Sequence, residues 1–215
     1  VQTPKGSSST PELWTLEELR QFLKVAGKHR LGFYFHLSAY TGARRGELCA
    51  LRWTDLDGSL LTISKSRVKA GKQVLELNST KGGTNGRRTI RVDADTVELL
   101  KAHRKRQLEE RLALGECWTD TGYVFVREDG LPIDVSTPTH LFRKLIKETG
   151  LRLIRLHDLR HIHATELLRL GEPLHVVAHR LGHRDAMVTA TVYAHVSDQQ
   201  IETASDTFAH AMSQS

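Results

Sequence analysis

Apolar positions recur at helical spacing towards both ends of this chain, and between them lies a stretch where they come in short runs split by glycines. Thr15, followed three residues later by Glu18, has the form of a capping box and predicts a helix to about Lys28. A second helix, about Leu31 to Tyr40, carries Leu31, Phe35 and Ser38 on one face and turns at Gly42. A short helix over about 44–51 follows. From Leu60 the runs Leu60-Leu61-Ile63, Val74-Leu75-Leu77 and Ile90-Val92 predict a three-stranded antiparallel meander, with Lys81 to Arg87 as its last turn. Residues 94–114 predict a long helix with Val97, Leu100, Leu108 and Leu112 on its apolar side. A short strand or loop at Val124 to Val126 and the Gly130-Leu131-Pro132 break precede a helix over 139–148. Helices at 158–170, 173–181 and 185–194 complete the pattern. Beyond them Ile201, Ala204 and Phe208 are spaced for one stripe of a terminal helix. The fold class is therefore α+β, mainly α-helical, with a small three-stranded antiparallel sheet.

Composition narrows the picture. With 215 residues, 39% hydrophobic and 26% charged, the chain suits one globular domain. No apolar run nears the ~18 residues of a membrane span, and the start lacks a secretory signal. The polar residues 1–13 read as a linker, and the absence of an initiating Met suggests a fragment with further domains upstream. Two isolated cysteines, Cys49 and Cys117, argue for a reducing compartment and against a disulfide scaffold. The net charge of +6 favours a polyanionic partner. The charge is concentrated from Ser64 to Arg91, where eight basic residues meet one acid, Glu76. Lys65, Arg67, Lys69, Arg87 and Arg88 of this stretch are candidate DNA contacts. The mixed charges from Lys101 to Arg111 read instead as a solvated helix face.

The candidate chemistry lies in three places. In TGARRGEL (41–48), Arg44 and Glu47 are three apart on a helix face shared with Leu48 and Leu51. That pattern fits either a local ion pair or an arginine held ready for a phosphate. In HDLR (157–160), His157 and Arg160 project near a helix N-terminus, a favourable place for a phosphate, though a core-edge histidine and a surface arginine would look the same. His163 falls on a leucine stripe and reads as a core histidine. His175, His179 and His183 recur every four residues, but Gly182 ends the helix before His183 and breaks any metal ladder, so no metal site is expected. Tyr193 stands ten residues after His183. A phenol has a pKa near ~10 and needs a base or cations beside it to act as a nucleophile.

Taken together, TGARRGELCALRW (41–53), LHDLRHIHATELL (156–168) and LGHRDAMVTATVYAHV (181–196) resemble, in order and spacing, the catalytic domain of tyrosine recombinases of the phage integrase type. The resemblance covers roughly residues 14–196. It implies that Arg44 and Arg160 clamp the scissile phosphate, that Lys81 protonates the leaving 5′-oxygen (Lys72 being its competitor), and that His157 assists proton removal from Tyr193. It further implies that His183 bonds a phosphate oxygen, that Glu47 orients Arg44 or a nearby histidine from behind, and that Tyr193 becomes a 3′-phosphotyrosine. No cofactor is expected: the bond energy is kept, so religation needs neither ATP nor metal.

The expected organisation is a linker (1–13), a catalytic domain (14–196) and a tail (197–215) docking on a neighbouring protomer. The expected activity is site-specific DNA recombination through a Holliday junction, by a homo-tetramer on double-stranded attachment sites. Accessory DNA-bending or excision factors and the cytoplasm of a bacterial host complete the expectation. The alternatives are relaxation of DNA in the manner of a type IB topoisomerase, and a DNA-binding module with a silent active site.

Overall fold

The computed structural model describes residues 13–71, 73–78 and 86–183. Helix α1 (Leu16–Ala26) starts as its capping box dictates. The Thr15 side chain accepts from the Glu18 amide, and the Glu18 carboxylate accepts from the Thr15 amide at 2.8 Å. Its buried face is Leu19, Phe22 and Ala26. Helix α2 (Gly32–Thr41) is buried on nearly every side and forms the centre of the domain. Phe22, Phe35 and Phe142 meet there with Trp14, the Phe22 and Phe142 rings edge-on at 4.9 Å, joining α1 and α2 to α5 (Thr137–Thr149). Such aromatic pairs add about 0.5–1.5 kcal/mol each beyond their buried area.

Helix α4 (Ala94–Leu114) is capped by Asp93, which accepts from the amide and hydroxyl of Thr96 at 2.9 and 2.7 Å. Val97 and Leu100 pack on the core as expected. Leu108 and Leu112 do not: they are 49% and 82% exposed. Polar side chains hold the inward face at that level. His103 bonds the Val124 carbonyl at 2.9 Å, Arg106 donates to the Arg30 carbonyl, and Gln107 accepts from the Trp53 indole at 2.6 Å.

The predicted meander is two separate sheets. Strands β1 (Leu56–Asp57), β2 (Leu60–Ile63) and β5 (Arg88–Arg91) form one antiparallel sheet in the order β1-β2-β5, with Leu61 opposite Ile90. Strands β3 (Lys65–Ala70) and β4 (Gln73–Asn78) form a hairpin of their own, from Lys65 opposite Asn78 to Ala70 opposite Gln73. Two strands were not expected: the two-residue β1, and β3, KSRVKA, whose charged side chains hide its period. The seat of β3 is helix α3 (Arg45–Ala50). A Cβ on Gly46 would stand 2.5 Å from the Arg67 carbonyl oxygen and from Ser66 Oγ, so only glycine lets β3 cross there.

Helices α6 (Asp158–Arg169) and α7 (Leu174–Leu181) share a small second core of Ala164, Leu168, Val177 and Leu181. The left-handed Gly182 ends α7, so His183 lies off the helix that carries His175 and His179. The helix expected at 185–194, the terminal stripe and residues 1–12 of the proposed linker lie outside the described residues, while Leu13, its last residue, packs against the core. Among the described residues no helix is long and apolar enough to cross a membrane.

Candidate active site

The turn from α2 into α3 fixes Arg44. Thr41 donates its hydroxyl to the Leu37 carbonyl at 2.5 Å and accepts from the Ala43 amide at 3.2 Å, locking the turn behind Gly42. Arg44 then sits in extended backbone just ahead of α3, not inside the helix as its spacing suggests. Its amide donates to Glu47 Oε2 at 2.8 Å, its Nη1 donates to Glu47 Oε1 at 3.0 Å, and its Nη2 reaches the Gly182 carbonyl at 3.3 Å. The Arg44 side chain keeps 35% exposure while Glu47 has none. The local ion pair of the motif forms, and Arg44 keeps part of its side chain open to the cavity.

Arg160 approaches from α6. It is 4% exposed, and its Nη1 donates to the Gly42 carbonyl at 2.6 Å. His157 precedes the first turn of α6, its ring edge-on to His161 with centroids 5.1 Å apart. Asp158 opens the helix, caps the Arg155 amide at 2.7 Å and pairs with the Arg155 guanidinium at 2.8 Å. His183 follows the Gly182 turn. Arg44, His157, Arg160 and His183, drawn from three distant segments, all line one open cavity of about 1070 Å³.

The charge state follows from this packing. His157 opens onto the cavity, yet the protein shell around it, with His161 and Arg160 close by, lowers its pKa to about 4. Burial, then Arg160 and Arg44, lower His183 to about 4 as well. Both rings are therefore neutral at pH 7, each able to give one hydrogen bond and take one. Burial alone would raise the Glu47 carboxyl, but Arg88 and Arg44 outweigh it and hold the group below its usual value. The cavity thus presents fixed guanidinium charge and neutral imidazoles, a combination suited to one oxyanion with several oxygens.

The basic residues expected to touch DNA divide. Lys69 of β3 lines the cavity wall. Arg67 lines it too but must be corrected as a DNA contact: it is 8% exposed, and its Nη1 donates to the Ile133 carbonyl at 2.8 Å inside the protein. Lys65 faces away and pairs with Glu76 at 3.0 Å. Arg87 is exposed. Arg88 must be corrected: its side chain is 1% exposed and bonds Glu47 at 2.8 Å, which takes it out of reach of a duplex. Arg45, Arg143 and Arg155 line the cavity and escaped the sequence reading. Each stands on a different segment, and only the RR pair of TGARRGEL gave a trace of one of them. Lys81, its competitor Lys72, and Tyr193 lie outside the described residues. Among those residues no group of three or more His, Cys, Asp or Glu side chains is gathered for a metal.

Comparison with known proteins agrees with the motifs. Residues 14–200 match the Phage integrase family. A XerC-like tyrosine recombinase of Caldanaerobacter subterraneus subsp. tengcongensis is 32% identical over 223 aligned positions, covering 96% of this chain and 57% of that protein. The ICEBs1 integrase of Bacillus subtilis is 30% identical, covering 86% of this chain and 50% of its own length. The chain thus spans about half the length of these relatives. Among solved structures, XerA recombinase superposes with a TM-score of 0.68 at 25% identity, over 89% of this chain and 61% of that one. The Tn1549 transposon integrase in complex with transposon right end DNA does so at 0.75 and 18% identity, over 94% of this chain and 68% of that one, a likeness of fold. With most of its length matched, its three boxes in order and its helices arranged as in these catalytic domains, the chain belongs to the phage integrase family of tyrosine recombinases.

Proposed function

We propose that this chain is the catalytic domain (14–196) of a site-specific DNA recombinase that breaks and rejoins strands through Tyr193. The observation that carries this reading is the convergence of Arg44, His157, Arg160 and His183 on one open cavity large enough for a backbone phosphate. The phenolic oxygen of Tyr193 attacks phosphorus as His157 takes up its proton. The bond from phosphorus to the 5′-oxygen breaks, and Lys81 supplies the proton that the leaving oxygen needs. Arg44 and Arg160 hold the two non-bridging oxygens and gain strength as charge builds on them in the transition state. His183 donates to one of the same oxygens, and Glu47 keeps Arg44 in place from behind. A 3′-phosphotyrosine results, its ester energy conserved, and the reverse step with a partner strand leads through a Holliday junction. No metal or nucleotide takes part.

Lys69 and Arg87 contact the flanking phosphates in this reading, and Lys65 adds charge at the rim. The working assembly is a homo-tetramer on double-stranded attachment sites in a bacterial cytoplasm. The tail (197–215) couples neighbours, and accessory bending or excision factors bias the direction. The deciding experiment uses nicked suicide duplexes carrying candidate attachment sites. Wild type should trap a covalent protein–DNA adduct in EDTA, and Tyr193→Phe should not. An adduct that survives Tyr193→Phe, or that EDTA abolishes, overturns the reading.

A further inference from the structure

Arg88 remains from the basic stretch without a task in the reaction. It stands on β5, and its guanidinium is spent entirely inside the protein. Nη2 and Nη1 donate to the two oxygens of Glu47 at 2.8 and 3.2 Å, Nε donates to the Arg180 carbonyl at 2.8 Å, and Nη1 also reaches the Gly86 carbonyl at 3.4 Å. Glu47 in turn holds Arg44, and Arg44 reaches back to the Gly182 carbonyl. The contacts close a ring: Arg44, Glu47, Arg88, the 180–182 backbone, and Arg44 again.

Gly182 bears independent witness to the fit. A Cβ there would stand 2.6 Å from Arg88 Nη1 and 3.0 Å from its guanidinium carbon, and the backbone is left-handed at φ +68°. The arginine therefore fills the space that any other residue at 182 would need. Arg88 itself does not line the cavity.

We infer that Arg88 is a positioning residue: it sets Arg44, through Glu47, and His183, through the 180–182 turn, at a fixed mutual distance across the cavity. This deepens the proposed function and rests on it for its kinetic consequence. A planar fork is required, because one group must grip a carboxylate with two nitrogens while a third nitrogen serves a separate carbonyl. A lysine ammonium would balance the charge of Glu47 without holding either geometry. The ring is also closed to solvent at its centre, so water cannot replace a missing contact without rebuilding the pocket.

The test compares Arg88→Lys and Arg88→Met with wild type on the nicked duplex. Three quantities are followed: melting temperature, DNA affinity by gel shift, and single-turnover cleavage at saturating DNA. Arg88→Lys should stay folded and bind DNA within about threefold of wild type, yet cleave at least tenfold more slowly, and Arg88→Met, where folded, should be slower still. Cleavage at the wild-type rate by the folded lysine variant overturns the inference. So does a loss of DNA affinity equal to the loss of cleavage, which would make Arg88 a direct DNA ligand. A readout without DNA separates this inference from the proposed function. In free protein the Arg44 Nε–H resonance should move or broaden in Arg88→Lys. If wild type traps no adduct, the recombinase reading fails, while a displaced Arg44 resonance still supports the ring and an unmoved one sinks it.

Discussion

Arg160 donates from Nη1 to the carbonyl of Gly42 at 2.6 Å, bridging 118 positions of sequence. The bond ties the buried arginine of α6 to the turn that delivers Arg44. Gly42 holds this place by a left-handed φ of +63°, with room for no side chain: a Cβ would lie 2.6 Å from Leu181 and 2.9 Å from His163.

Gly42→Ala should therefore destabilise the domain by about 2 kcal/mol or more, through backbone strain together with the clash. Urea unfolding monitored by circular dichroism reads this directly. A midpoint equal to wild type would mean that the turn tolerates a side chain and that the anchor is looser than its geometry indicates.

Arg160→Ala separates chemistry from binding. Cleavage should fall by ~10²–10³-fold, the typical effect of removing one donor to a developing oxyanion. DNA affinity should change far less, because many phosphate contacts remain. Parallel measurement of trapped adduct and gel shift checks it, and equal losses in both would contradict the clamp.

Acid should loosen the fold well before it protonates ordinary carboxylates. Burial lowers the pKa of His103 to about 4, and burial with Arg180 nearby lowers that of His163 to about 3. Unfolded, both rings take up protons near ~6.5. Between those values the unfolded chain holds more protons than the folded one, so stability falls as pH drops from about 6.5 towards 4 and is level above it. Each such ring contributes a slope of up to about 1.4 kcal/mol per pH unit. Urea midpoints at pH 7.5, 5.5 and 4.5 measure the trend, and the same midpoint at all three would refute it.

A phosphate lodged in the cavity should reverse part of the shift on its own histidines. His157 and His183 are held near 4 by burial and by their neighbours, His161 and the Arg160 guanidinium for the first, the Arg160 and Arg44 guanidiniums for the second. A bound anion favours the charged imidazolium and should raise both values, by on the order of one unit. Histidine ring NMR titrations with and without a short duplex carry the test. Shifts at exposed His175 alone would place the anion elsewhere.

Much of this could be read from the chain, for identifiable reasons. The capping box at Thr15, the long α4 and the stop at Gly182 are local chemistry, and local chemistry is what a sequence displays. Arg44, His157, Arg160 and His183 were legible because short boxes carry them in a distinctive order. Strand β3 was missed because three of its six side chains are charged and only Val68 and Ala70 are apolar, too few to mark a strand beside the leucine-rich runs. Arg88 was misassigned because its partner Glu47 lies 41 positions away, and nothing in a run of basic residues says which one turns inward. Leu108 and Leu112 had helical spacing but no facing apolar surface, since His103, Arg106 and Gln107 had already occupied it with hydrogen bonds.

The bare crossing of β3 over Gly46 has a mechanical consequence. Between the hairpin wall bearing Arg67 and Lys69 and the backbone just after Arg44 there is no room for a further side chain, because the Arg67 carbonyl and Ser66 Oγ already fill the place of a Cβ on Gly46. A push on that wall would therefore be felt at the short helix α3 beneath it. If the proposed function holds, the seating of DNA against the hairpin and the aim of Arg44 would be linked through the one missing methyl group at Gly46.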